Sequence, residues 1–416
     1  MELIPTIESI LEYGPVCDHC LGRLFGKCSH GLTNRERGHA LRITHLIAKN
    51  RPYAEEKDVC WICGNLFDAT GTWAERIAGA LHGLDYATFL VGCRVPPLMA
   101  ESEELLWSDL GLSSPEPVKA EFNREVGKAV SAITGKAVDF TRPDIVVICD
   151  IANESVEVQI NPAFIYGRYR KLVRGIPQTR WHCRVCRGSG CERCGFTGKM
   201  YQDSVEELIG RPVIAATHAE DAVLHGAGRE DIDALMLGSG RPFVLEVVAP
   251  RIRSLALSDI EAAINQSAAG SVSVTLDHWS DRHEVETIKT EKAHKKYSIL
   301  VEVDGAISVD DIRNALRSLS GATIDQRTPQ RVSHRRADKV RKRRVIAIEC
   351  TGEEDGRFFI TVVGEAGLYI KELISGDSGR TVPSLAGVLE MPARVVALDV
   401  VGVDGVVPER AAGNEA

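Results

Sequence analysis

GREDIDALMLGSGRPFVLEVVAP, residues 228–250, opens with three acidic side chains within four residues and goes on through a glycine-rich turn between two strand-like runs. Over DIDALML the residues alternate with period two, which puts Asp231 and Asp233 on one face and Ile232, Ala234 and Met236 on the other. GSGRP reads as a turn and FVLEVVAP as a second strand. Further along, KYSILVEV alternates so that Tyr297, Ile299, Val301 and Val303 share a face, and VIAIEC and RFFITVVGEA flank the polar turn TGEEDG as a hairpin. GLYIKELISGDSGRT follows as a short helix running into a glycine-rich loop, and ARVVALDVVGVDG supplies the last strand. Ser258 and Ser308 read as helix N-caps.

Upstream of this region the elements are mixed. GLTNRERGHALRITHLIAKN and AERIAGALHGL have helical spacing, TFLVGCRVP reads as a strand, and RPDIVVICDIANESVEVQINPAFIYG reads as two strands about an Asn turn. The reading is an α+β protein with a mixed, mainly antiparallel sheet in its second half. Its segments are an N-terminal zinc-binding stretch over 1–65, an α/β module over 66–178, a zinc knuckle and linker over 179–200, a larger domain over 201–408, and a frayed tail over 409–416.

The chain has 416 residues, room for two or three domains, and at 44% hydrophobic and 26% charged it is neither disordered nor fibrous. The acidic start MELIPTIESILEYG lacks a signal-peptide pattern, and no stretch reaches the length of a membrane span, so the expectation is a cytoplasmic protein. Net charge is −8, yet residues 327–344 hold nine Arg/Lys against the single acid Asp338. That segment alone carries +8, and a second stretch, 163–187, holds seven Arg/Lys and no acid. Local potential of this kind suits a polyanion despite the acidic average.

Eight of the twelve cysteines form four C-x-x-C pairs: Cys17/Cys20, Cys60/Cys63, Cys183/Cys186 and Cys191/Cys194. In a reducing compartment such pairs point to tetrahedral metal sites rather than disulfides. CRVCRGSGCERCGFTGK joins the last two pairs through glycines and resembles a zinc knuckle, while the earlier pairs close a longer loop of about forty residues. One structural zinc is expected at Cys17, Cys20, Cys60 and Cys63, with a second at the later four. The competing reading is redox-active or simply reduced thiols. Cys28, Cys93, Cys149 and Cys350 lack partners of this kind and read as buried thiols.

Neither G-x-G-x-x-G nor G-x-x-x-x-G-K-[ST] occurs in a nucleotide-binding context, which disfavours dehydrogenases, kinases and methyltransferases. His218-Ala219-Glu220 mimics the H-x-E of zinc deaminases, but all the C-x-x-C pairs precede it, so that reading is rejected. What remains is carried by GREDIDALMLGSGRPFVLEV, KKYSILVEV, QRTPQRVSHRRADKVRKRR, YIKELISGDSGRT and NPAFIYGRYRKLVRGIPQTRWHCRVC. Together they resemble the archaeal tRNA pseudouridine synthases of the Pus-ten family, in the family's order and over nearly the whole chain. The resemblance implies a THUMP-containing RNA-binding half and a pseudouridine synthase catalytic domain. It further implies isomerisation of uridine-54 and uridine-55 in the T-loop at the tRNA elbow, with no organic cofactor and no membrane. The chain is expected to work as a monomer.

By that resemblance Asp231 is the nucleophile, with Asp233 its rival on the same expected face. A carboxylate suits the task if it stays ionised, and a neighbouring cation helps it do so, a role the resemblance gives to Lys371. It also makes Arg229, Tyr297, Tyr369 and Leu373 contacts of the extruded uridine. Taken alone, Tyr297 and Leu373 read as core residues and Lys371 as a solvated one. Arg327, Arg331, Arg335, Arg336, Arg341, Lys342, Arg343 and Arg344 read as a flexible RNA clamp. Tyr166, Arg168, Tyr169, Arg170, Lys171 and Arg174 interleave aromatics with cations in a way that suits unpaired RNA. The other readings are a non-catalytic tRNA- or rRNA-binding protein on the same fold, or a THUMP-bearing RNA methyl- or thio-transferase.

Overall fold

The computed structural model describes residues 3–53, 58–112 and 115–404, so the expected tail over 409–416 lies outside the described residues. The chain divides into two compact units, one of residues 1–161 with 251–254, the other of residues 162–250 with 255–416.

The first unit runs α1 (Leu3–Glu12), α2 (Asp18–Leu24), α3 (Asn34–Ala48), α4 (Thr70–Ala80), β1 (Thr88–Arg94), α5 (Pro97–Asp109), α6 (Val118–Thr134), β2 (Ala137–Val138), β3 (Ile145–Asp150) and β4 (Ser155–Ile160). Its strands form a sheet in the order β2-β1-β3-β4, parallel across β2-β1-β3 and antiparallel at the β3–β4 hairpin. The inner face, with Phe89, Val91, Ile145 and Val147, packs with Trp73, Ile77, Phe122 and Val126 from the helices. Buried Arg23 on α2 is paired with Glu103 on α5 and also donates to the Cys20 sulfur at 3.6 Å. The first cysteine cluster is therefore tied into this core, which is why 1–65 folds as part of the unit.

Helices α2 and α3 cross at two glycines. A Cβ on Gly22 would lie 1.8 Å from the Asn34 carbonyl oxygen, and one on Gly38 would lie 1.8 Å from that of Asp18. Only hydrogen fits at either position.

The second unit runs β5 (Ala163–Lys171), α7 (Val205–Thr217), β6 (Asp221–Gly226), β7 (Leu235–Val248), α8 (Leu257–Ser267), β8 (Val272–Ser280), α9 (Arg282–Thr290), β9 (His294–Val303), α10 (Val309–Leu319), β10 (Thr323–Arg327), β11 (Val340–Glu354), β12 (Arg357–Gly364), α11 (Ile370–Ser375), β13 (Thr381–Val382), α12 (Leu385–Leu389) and β14 (Ala393–Asp404). Its ten-stranded sheet has the order β13-β10-β11-β12-β9-β14-β7-β5-β8, with β6 paired to β7. All pairings are antiparallel except β14 with β7, which gives the mixed, mainly antiparallel sheet expected. Tyr297, Ile299, Val301 and Val303 do share the buried face of β9. Ser308 caps α10 by accepting from the Asp311 amide at 3.1 Å, whereas Ser258 lies inside α8 behind Ala256.

Three expectations change. The division between units falls at 161/162, not at 178 or 200, because β5 is an interior strand of the larger sheet, paired to β7 and β8. The DIDALML strand starts late: residues 231–234 form a turn, closed by Ala234 N–H to the Asp231 carbonyl at 3.1 Å, and β7 begins at Leu235. GSGRP then continues that strand instead of ending it, with Gly238 and Gly240 at positive φ. No helix among the described residues is long and apolar enough to cross a membrane.

The glycine crossing makes a direct prediction. Gly38→Ala forces α2 and α3 apart and is expected to cost about 2 kcal/mol or more. Chemical denaturation of wild type and variant measures it, and unchanged stability would contradict the packing described.

Candidate active site

The turn before β7 is built from beneath. The side chain of Glu230 is fully buried and paired with Arg241 of β7 at 2.8 Å, the two side chains being 0% and 1% exposed. The Tyr169 hydroxyl donates to Glu230 at 2.9 Å, and Gln178 bridges the Tyr169 oxygen at 2.8 Å and the Gly228 carbonyl at 2.9 Å. Arg241 Nη1 also donates to the Ala227 carbonyl at 2.6 Å. From β5, fully buried Lys171 sends its ammonium to the carbonyls of Asp231 and Ile232, both at 3.2 Å, and to that of Ile176 at 3.1 Å. Such donors satisfy carbonyls of a turn that the sheet leaves unpaired.

Anchored through its neighbour and its own backbone, Asp231 presents its carboxylate to solvent, with the side chain 36% exposed. Two cations meet it. Arg331 Nη1 lies 3.3 and 3.1 Å from the two oxygens, and Lys371 Nζ lies 3.5 Å from Oδ2. Lys371, leading α11, is closer to Asp233, at 2.8 Å, than to Asp231. Burial pushes Asp233 up, but the hydrogen bond and charge of Lys371 outweigh it and hold this carboxyl below the usual range. Arg331 comes from the turn Gln330–Arg335 and also donates from Nε to Glu372 at 2.7 Å.

The other expected residues distribute unevenly. Tyr297 lies on β9 near Asp231, and burial, with the Asp231 charge adding and Arg241 opposing, pushes its hydroxyl up to about 12. Tyr369 precedes α11, its backbone held by Gln326 at both N–H and C=O, and its hydroxyl accepts from Arg336 at 2.9 Å. Leu373 is fully buried. Arg229 is exposed and lines a pocket of about 600 Å³ with Arg180, His182, His225 and Lys289.

Within the stretch read as an RNA-stacking surface, Tyr169 and Lys171 are fully buried, so they have no face for RNA and serve the turn instead. Arg168 is engaged by carbonyls of Ser239, Gly240 and Val403, and Arg174 pairs with Asp399 at 2.6 Å. Glu230, Arg241, Gln178 and Glu372 escaped the sequence reading. No local pattern singles them out, because each is defined by a partner that the fold brings to it.

The eight paired cysteines gather into two clusters, Cys17, Cys20, Cys60 and Cys63, and Cys183, Cys186, Cys191 and Cys194, each with all sulfurs within 4.8 Å of one another. A tetrahedral ion with Zn–S near 2.3 Å has sulfur–sulfur edges of about 3.8 Å. Observed separations are 3.7 Å for Cys17–Cys63 and, in the later cluster, 3.9, 3.8 and 3.7 Å for Cys183–Cys191, Cys186–Cys194 and Cys191–Cys194. These are far longer than a disulfide. Cys194 Sγ accepts amide hydrogens from Cys191 at 3.2 Å and Gly198 at 3.3 Å, as a thiolate ligand would. A Cβ on Gly198 would lie 2.3 Å from the Gly188 carbonyl oxygen, so the knuckle closes only over glycine. The donor sets fit zinc.

Comparison with known proteins gives a consistent result. The family model "Pus10, C-terminal" matches residues 164–404, and "Pus10 THUMP domain, archaeal" matches residues 73–150. The chain is 46% identical over 431 residues to the tRNA pseudouridine synthase Pus10 of Methanothrix thermoacetophila, covering 97% of this chain and 95% of that one. It is 47% identical over 416 residues to the protein of the same name from Halorubrum lacusprofundi, covering 97% of each. With the Pyrococcus furiosus protein of that name it shares 40% over 401 residues, covering 96% and 98%.

Beside the turn, Lys295 supplies a pH test. Burial first, with Arg241 adding to it and Glu230 opposing, lowers Lys295 from 10.5 to about 8. Between those values the unfolded chain keeps a proton that the folded chain has released, so stability from this group rises with pH across the window. Below about 8 the burial penalty is full. Lys295→Met is therefore expected to raise the melting temperature at pH 7 by on the order of 5 °C. That advantage should shrink towards pH 10, and a gain independent of pH, or a loss at pH 7, would contradict the assignment.

Proposed function

As the chain belongs to the Pus10 family and is a pseudouridine synthase, an isomerase, we propose that it converts uridine-54 and uridine-55 of the tRNA T-loop to pseudouridine, with Asp231 as nucleophile. The observation that carries this reading is the Asp231 carboxylate, exposed to solvent yet held by Arg331 and Lys371 on a turn with a buried foundation. The choice of T-loop uridines rests on the family.

The reaction breaks the N1–C1′ glycosidic bond, turns the uracil, joins C5 to C1′, removes the proton from C5 and leaves N1 carrying one, so the product is an isomer with no net redox change. Asp231 attacks the ribose or the base and is released at the end. Arg331 and Lys371 place two positive charges beside the attacking carboxylate. Asp233, held by Lys371 at 2.8 Å, is the rival acid, and the choice of Asp231 over it rests on the family's Gly-Arg-x-Asp motif. Tyr297 packs along the uracil face, where its phenol oxygen assists removal of the C5 proton. Tyr369 and Arg229 border the extruded nucleotide, and Leu373 supports that site from the core.

The substrate reading is supported by the cationic run of β11, where Arg341 precedes Lys342, itself 76% exposed, and by exposed Arg336; the side chain of Arg335, expected with them, lies outside the described residues. Within this reading the protein acts as a cytoplasmic monomer. Each four-cysteine cluster holds a structural zinc, with no catalytic part for the metal.

Carbodiimide mapping of an unmodified tRNA transcript tests the function. Wild type without added cofactor is expected to give stops at both T-loop uridines, and Asp231→Ala to lose at least about a thousandfold in rate. A folded wild type that binds tRNA and leaves both uridines unchanged would contradict it. Metal analysis of protein purified without chelator is expected to find two zinc ions per chain, falling to one in Cys186→Ser. Protein free of zinc would refute the metal assignment.

A further inference from the structure

Arg331 belongs by sequence to the basic run that reads as an RNA clamp, but its surroundings are those of an active-site residue. Its guanidinium spans two carboxylates, with Nε on Glu372 Oε1 at 2.7 Å and Nη1 on both oxygens of Asp231 at 3.3 and 3.1 Å. Two acids at this range repel an RNA phosphate and leave little of the fork free for one. Its neighbours in the run differ: Arg336 reaches the Tyr369 hydroxyl, Arg327 pairs with Asp338, and Lys342 stands largely in solvent.

Glu372 supplies the second observation. It is only 5% exposed, follows Lys371 on α11, and its other oxygen, Oε2, is buried with no hydrogen-bond partner. A buried carboxylate with one oxygen unsatisfied is costly, and the guanidinium of Arg331 is its one ion-pair partner among the described residues. Three carboxylates, Asp231, Asp233 and Glu372, share two cations, Arg331 and Lys371. Lys371 is turned mainly to Asp233, so withdrawing Arg331 to a phosphate would leave Asp231 with one cation at 3.5 Å.

We infer that Arg331 is a positioning residue for the chemical step, held on Asp231 by the buried Glu372, so that the clamp segment completes the catalytic carboxylate's surroundings. This rests on the isomerase reading above and adds a part to it. Glu372 fixes the guanidinium through Nε, which leaves Nη1 pointing at Asp231 in one orientation. A lysine in place of Arg331 keeps the charge but offers a single ammonium, which cannot span both acids in this geometry.

Single-turnover conversion of tRNA at saturating enzyme, with the tRNA dissociation constant measured separately across salt, tests it. Arg331→Ala, Arg331→Lys and Glu372→Gln are each expected to slow the saturated rate about ten- to a hundredfold. Binding should stay within about twofold of wild type and its salt slope should not change. The double variant Arg331→Ala/Glu372→Gln should be no slower than Arg331→Ala alone, since both changes remove one unit. If Arg331 instead grips phosphate, Arg331→Ala weakens binding and cuts the salt slope by about 0.9 while Arg331→Lys and Glu372→Gln react as wild type, and the inference falls. Arg331 is 37% exposed, so its variants remain informative even if Glu372→Gln fails to fold. A silent wild type in the same assay overturns the isomerase reading and this inference with it, whereas an active wild type with active variants overturns the inference alone.

Discussion

The buried pair of Glu230 and Arg241 is the constraint on which the site depends. Two full charges out of water are tolerable only with further hydrogen bonds, and here the Tyr169 hydroxyl donates to Glu230, the Ala227 carbonyl accepts from Arg241, and Gln178 holds Tyr169 in place. Removing one partner from such a pair typically costs about 3–5 kcal/mol, because the other charge is left stranded. Pinning Glu230 inward fixes the direction of the next residue, so Asp231 faces outward with a defined orientation. Lys171 completes the arrangement from β5 by holding the backbone of the same turn.

This explains why β5 belongs with the larger sheet. Tyr169 and Lys171 must reach beneath the turn, and antiparallel pairing of β5 with β7 puts them there while Arg241 rises from β7 itself. Above the turn, α11 and the segment 330–335 bring Lys371, Glu372 and Arg331. The carboxylate thus lies between a buried network of Glu230, Arg241 and Lys171 below and an ion cluster of Arg331, Lys371, Asp233 and Glu372 above.

Much of this was legible from residues alone. The alternation of KYSILVEV places Tyr297 on the buried face of β9, the hairpin of β11 and β12 follows from TGEEDG, and the C-x-x-C spacing foreshadows two sulfur clusters of metal-binding size. Asp231 could be singled out through family likeness, not through pattern. What escaped depends on long-range pairing. Lys171 and Tyr169 look like surface cations and aromatics because nothing local shows that their strand lies between two others. Glu230 looks like a solvent-facing acid beside Asp231 because its partner, Arg241, lies beyond the glycines. Arg331 looks like one more clamp arginine because Glu372 approaches it from 41 residues further along.

The central claim is that Asp231, held in this ion cluster, moves the base from N1 to C5. Its most direct test uses tRNA carrying 5-fluorouridine at the T-loop positions, because a fluorine on C5 blocks the final proton loss and preserves the rearranged base for analysis. The account predicts that nucleoside digests from the wild-type reaction contain a fluorinated base joined to the ribose through carbon, and that Asp231→Asn, still binding tRNA, leaves the nitrogen linkage intact. Recovery of N1-linked 5-fluorouridine alone from a wild-type complex, or equal carbon-linked product from Asp231→Asn, would contradict it.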